Sequence, residues 1–107
     1  MSNKRFARVI RNIDDTENVV LTAADFPEAV VRLTSDGGAR TCTLPDSTGL
    51  EDGDEVELHR VGANLVELVP DAGGDTINGS TDPFPLNSSY DCISARLDKD
   101  TGDWMAS

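Results

Sequence analysis

The chain has 107 residues, 37% of them hydrophobic, with a formal net charge of −11 and an isoelectric point near 4.2. That length supports one modest domain. The acidity repels nucleic acid and anionic membranes, so neither is expected as a partner, and no segment approaches the roughly twenty apolar residues of a membrane helix.

The charge is lopsided along the chain. Lys4, Arg5, Arg8 and Arg11 all precede the first of the 20 acidic residues. Residues 1–16 therefore read as a basic N-terminal arm, with residues 17–107 as the folded domain. Met1 to Arg11 could be extended or form a short edge strand, a helix over Lys4 to Ile13 is possible but lacks a capping residue before it, and Asn12 to Glu17 reads as a turn. Lys4, Arg5, Phe6, Arg8 and Arg11 are the candidate partner-contact residues, because a basic arm on an acidic body suits an acidic surface. No apolar stretch follows the early bases as a signal peptide requires, so synthesis in the cytoplasm is expected.

Asn18 to Thr22 is a short β run. Ala23 to Phe26 allows one helical turn, and Pro27 pushes Phe26 out of the α region. Ala29 to Thr34 alternates, with Val31 and Leu33 on one face. Ser35-Asp36-Gly37-Gly38 is a turn that predicts a hairpin with Arg40 to Leu44, where Cys42 and Leu44 share a face. Pro45 closes that strand, and Asp46 to Asp54 reads as loop. Glu55 to Arg60 alternates again, with Val56 and Leu58 inward. Gly62-Ala63-Asn64 breaks the run before Leu65 to Val69, which predicts a second hairpin.

After Pro70 the chain loops, and Ile77 is expected as a plug into the core. Pro83 and Pro85 confine Thr81 to Ser89 to a loop or an edge strand. Tyr90 to Leu97 is the last long strand, with Ile93, Ala95 and Leu97 on one face. Asp103 to Ala106 pairs back onto it, with Trp104 in the core. Strand-like runs between turn signals predict an all-β fold: a small antiparallel sandwich or barrel-like domain.

Catalytic chemistry is thin. His59 is the single histidine, placed on the solvent side of its strand. One histidine with two distant cysteines, Cys42 and Cys92, does not supply a zinc set by spacing. The two cysteines are expected as buried thiols rather than a bridge. His59 has no nucleophile elbow to serve. Gly37-Gly38 and Gly73-Gly74 lack the helix and lysine of a phosphate loop. Asp98 to Asp103 and Glu51 to Asp54 are acidic turns whose aspartates are expected to cap the backbone rather than hold calcium. The chain is therefore expected not to be an enzyme and to carry no cofactor or metal.

Six landmarks occur in order: Leu21-Thr22-Ala23-Ala24-Asp25, Val31-Arg32-Leu33-Thr34, Thr43-Leu44-Pro45, Gly53-Asp54-Glu55-Val56, Asp75-Thr76-Ile77-Asn78-Gly79 and Thr101-Gly102-Asp103-Trp104. Together they cover about Val19 to Ala106. Their order resembles small β domains of tailed-phage virion proteins, including head decoration (cement) proteins and tail-fibre modules. The resemblance implies a non-catalytic structural part, typically a homotrimer, located on the virion. With no long fibre shaft beside it, the module suggests a decoration protein whose partner is the major capsid protein. A tail-fibre or head-fibre module that binds a host glycan is the alternative. An acidic accessory protein of a salt-adapted cell also fits the charge.

Overall fold

A computed structural model of the chain describes residues 10–88 and 91–107. The fold is all-β, a two-sheet sandwich with two single turns of 3-10 helix at Ala23–Asp25 and Ser47–Gly49. Ten strands occur in chain order: β1 (Ile10–Asp15), β2 (Val19–Val20), β3 (Glu28–Thr34), β4 (Arg40–Thr43), β5 (Glu55–Val61), β6 (Val66–Val69), β7 (Thr76–Ile77), β8 (Phe84–Leu86), β9 (Cys92–Asp98) and β10 (Asp103–Ala106). One sheet has the order β1-β3-β5-β9-β10-β7, and the other β2-β4-β6-β8.

The chain changes sheet at each connection from β1 to β6. It therefore winds as three flattened coils, β1–β2, β3–β4 and β5–β6. Successive coils stack with parallel pairing, β1 on β3 on β5 in one layer and β2 on β4 on β6 in the other. Neither predicted hairpin forms. β3 and β4 lie in opposite sheets, as do β5 and β6. The antiparallel expectation is corrected in the same way, since among the described residues antiparallel strand pairs are β5 with β9, β9 with β10, and β6 with β8, beside one antiparallel bridge from Ile77 to Ser80. The β9–β10 pairing expected from the sequence is present, with Trp104 opposite Leu97.

Parallel sheets are usually covered on both faces by crossover helices and read as continuous apolar runs. Here the crossovers are short corners, so each sheet keeps one wet face and its strands alternate. In β5 the residues Val56, Leu58 and Arg60 are buried while their neighbours are half-exposed. Val31, Leu33, Cys42, Leu44, Leu58, Leu68 and Trp104 meet between the layers, each at most 1% exposed. Phe26 stacks on Trp104 with ring centroids 5.8 Å apart.

The corners explain why the coils stack rather than fold back. Ser35 N donates to Val61 O (2.8 Å) and Ser35 Oγ to Asn64 O (2.7 Å), while Asn64 Nδ2 donates to Ser35 O (2.6 Å). Arg40 N donates to Leu65 O (2.9 Å), and Arg40 Nε reaches down to Thr16 O (2.6 Å). Asn18 Oδ1 accepts from Thr41 N (3.0 Å). Each corner thus satisfies backbone groups of the next, which a buried turn requires. Gly62 is fixed by this stacking. Its φ is +116°, and a Cβ there would lie 2.5 Å from Asp36 Oδ1.

Two boundaries shift. The predicted turn at Asn12 to Glu17 is strand through Asp15, paired in register with β3. Residues 10–15 of the expected arm consequently belong to the sheet. Cys42 is buried as expected, but Cys92 is exposed, and both thiols are free.

Candidate functional site

Two features stand out on the surface, a side of the sandwich that none of the described residues covers and a mixed-donor cluster on one sheet face. At the uncovered side β1 and β2 are the first strands of their sheets. Their alternation places Ile10 (54% exposed) and Val20 (71% exposed) in solvent. β1 is six residues long and contains no proline, so its outer edge offers regular donors and acceptors.

Of the predicted arm residues, Lys4, Arg5, Phe6 and Arg8 lie outside the described residues. Arg11 is described and is engaged by its own domain. Its Nη1 donates to Ala24 O (3.1 Å), and its Nη2 lies 3.8 Å from Asp25 Oδ1. Arg11 thereby ties β1 to the 3-10 turn at Ala23–Asp25, which is itself closed by Thr22 N donating to Asp25 Oδ2 (2.9 Å).

The second feature lies on the outer face of the larger sheet. The β5–β9 register sets His59 directly opposite Cys92, and Glu57 lies two residues before His59 on the same face. His59 Nε2 is 2.5 Å from Glu57 Oε2 and 3.7 Å from Cys92 Sγ. One ligand atom from each of the three residues lies within 4.8 Å of the others. Partial burial and the Glu57 carboxylate raise the Cys92 thiol above its usual pKa. Burial between the sheets and the nearby Asp25 push Cys42 up to about 12, which leaves it a neutral thiol at any ordinary pH. Sequence reasoning missed the cluster because His59 and Cys92 are 33 residues apart and only strand register joins them.

The acidic turns are held by hydrogen bonds. Asp46, Asp71 and Asp75 also converge within 4.8 Å. Asp75 accepts from Ser47 N (2.9 Å) and Ser47 Oγ (2.8 Å), Asp46 from Thr48 N (3.0 Å), and Asp71 from Gly73 N (3.0 Å). Asp98 Oδ1 accepts from Asp100 N, Asp52 Oδ1 from Lys99 N and Asp54 Oδ2 from Glu51 N. Asp98 and Asp54 thus cap their own turns as expected, whereas Asp52 and Asp75 bond segments distant in sequence.

The last two landmarks interlock. Asp103 Oδ1 accepts from Thr76 Oγ1 (2.7 Å) and from Gly79 N (2.8 Å). Asn78 Nδ2 donates to Ala106 O (3.0 Å), and Asn78 Oδ1 accepts from Ala106 N (2.9 Å). Gly102, at φ +72°, leaves room for Asp75, whose Oδ1 a Cβ there would meet at 2.7 Å. The segments Asp75–Gly79 and Thr101–Trp104 are thus one clasp between β7 and β10. Among the described residues no helix is long and apolar enough to cross a membrane. No family model matches the chain, and no curated protein matches it.

Proposed function

We propose that this chain is a structural protein of a tailed-phage virion, a decoration protein that binds the outer head surface as a homotrimer and stabilises the capsid. The reading rests on the ordered landmarks, and the observation that carries it furthest is the uncovered side at β1 and β2. A two-layer stack with a six-residue, proline-free edge at β1 and exposed Ile10 and Val20 invites pairing with a further chain. A closed symmetric oligomer removes that hazard. The basic residues Lys4, Arg5 and Arg8 precede β1 in the chain. They would pair with carboxylates of the major capsid protein, and several weak contacts per trimer would add by avidity.

The mechanism is mechanical: each subunit spans neighbouring capsid proteins and resists their separation under the pressure of packaged DNA. No cofactor enters it. Among the described residues the aromatic side chains lend the glycan-binding alternative little support, since Trp104 is buried and Phe26 and Phe84 pack against the core.

The deciding experiment counts this protein in purified virions relative to the major capsid protein, alongside its mass in solution. Hundreds of copies and a trimeric mass are expected; a handful of copies would move the protein to a tail tip. Removal of residues 1–9, which spares β1, is expected to leave the fold intact and weaken capsid attachment, more so in added salt. Undiminished attachment would remove the arm from the reading.

A further inference from the structure

We propose that Glu57, His59 and Cys92 form a surface site for a divalent transition metal, with Zn²⁺ as the favoured ion. This site is independent of the virion reading. Its donors are one carboxylate oxygen, one imidazole nitrogen and one sulfur, a set suited to zinc rather than to calcium or magnesium.

The geometry is close to what the ion needs. Zn–S near 2.3 Å and Zn–N near 2.0–2.1 Å at a tetrahedral angle put sulfur and nitrogen about 3.6 Å apart. Cys92 Sγ and His59 Nε2 lie 3.7 Å apart. That edge of the tetrahedron is preformed by two strands paired in the middle of a six-stranded sheet. The Glu57 oxygen sits closer, 2.5 Å from His59 Nε2, and must open to about 3.4 Å to share a metal. Its side chain is 44% exposed and has room to rotate.

Binding replaces the proton on sulfur, which leaves to solvent, and uses His59 through Nε2 with its proton on Nδ1. No oxidation state changes. The fourth position faces solvent and takes water, so the site is open rather than sealed. Arg32, the β3 partner of His59, does not oppose the ion alone, because its guanidinium lies 3.6 Å from Asp14.

The test uses the full-length reduced chain, titrated first with Co²⁺ and then with Zn²⁺. One equivalent of Co²⁺ should give a thiolate charge-transfer absorption that Zn²⁺ abolishes, and millimolar Ca²⁺ should not compete. Cys92→Ser should abolish the absorption. Cys92→Ser and His59→Gln should each weaken Zn²⁺ binding by about tenfold or more, as loss of one of three ligands requires. Cys42→Ala should leave binding unchanged. Metal-free melting curves establish that each variant is folded. Absence of the charge-transfer band, or Zn²⁺ affinity undiminished in folded Cys92→Ser, would overturn the site and assign the ion to the acidic surface at large.

Discussion

The two sides of the sandwich are finished differently. On one side each sheet ends in a strand that resists further pairing. β8 is three residues long and has Pro85 at its centre, which cannot donate to a ladder. β7 is two residues long and is locked to β10 by the Asp103 and Asn78 clasp. On the other side β1 runs six residues without proline, and exposed apolar side chains mark both β1 and β2. The same polypeptide thus blunts one pair of edges, while on the other side β2 is as short as β7 and β1 alone runs long. Open edges are an aggregation hazard unless something covers them. The contrast separates a side closed by short, locked strands from the side where β1 offers a longer edge.

The largest effect should come from the blunted side. Trp104 is completely buried and stacks on Phe26, so Trp104→Ala should cost about 3–5 kcal/mol, measured by urea unfolding. Its Nε1 is buried without a hydrogen-bond partner, which makes Trp104→Phe the milder change. If Phe costs as much as Ala, the packing account of this side is wrong.

Breaking the clasp comes next. Asp103→Ala removes the bonds from the Gly79 N–H and the Thr76 hydroxyl, both of which water can reach, and should cost about 0.5–1.5 kcal/mol. The loss should appear as faster amide exchange at Gly79 while Leu58, deep in β5, keeps its protection until global unfolding. Equal acceleration at both positions would show that the clasp is no local unit.

Much of this side could be read from the sequence, and the reason is local. The β9–β10 pairing needs only two alternating runs and a Gly-containing turn between them. Burial faces were legible in β3, β5 and β9, where alternation reports a half-wet strand whichever neighbour it takes, although Cys92, expected buried, lies exposed. Partners were not legible. Gly62-Ala63-Asn64 supplies the positive φ that a hairpin turn needs, but a corner between two sheets needs it equally. What separates the two outcomes is the Ser35–Asn64 bonding between successive corners, a contact 29 residues apart in sequence. The Glu57–His59–Cys92 cluster was hidden for the same reason. Its members meet only once β5 and β9 pair in one register, which no spacing rule encodes.

On the open side, effects on stability shrink. Arg11→Ala removes the bond to Ala24 O and the 3.8 Å approach to Asp25. Because Arg11 is about half exposed, the ion pair is solvent-screened and the change should cost less than about 1 kcal/mol. Chemical denaturation measures it. A cost above 2 kcal/mol would mean that Arg11 fastens β1 to the domain more firmly than a surface contact does.

The smallest intrinsic effect, and the sharpest test of the contrast, belongs to Val20. A side chain 71% exposed contributes little to the fold of one subunit, so Val20→Ser should shift its stability by no more than about 0.5 kcal/mol. If the open side is an interface, the same substitution acts on assembly instead. The oligomer's melting temperature depends on protein concentration when subunits stabilise each other, and Val20→Ser should lower it most at high concentration. Light scattering should then show a shift toward smaller species, with Ile10→Ser adding to it. Trp104→Phe, on the opposite side, should leave the concentration dependence alone. An oligomer that ignores both open-side changes would place its subunit contacts elsewhere and leave β1 and β2 bare in the assembled particle. A monomer that loses stability on Val20→Ser would mean that the two sides differ less in purpose than in exposure.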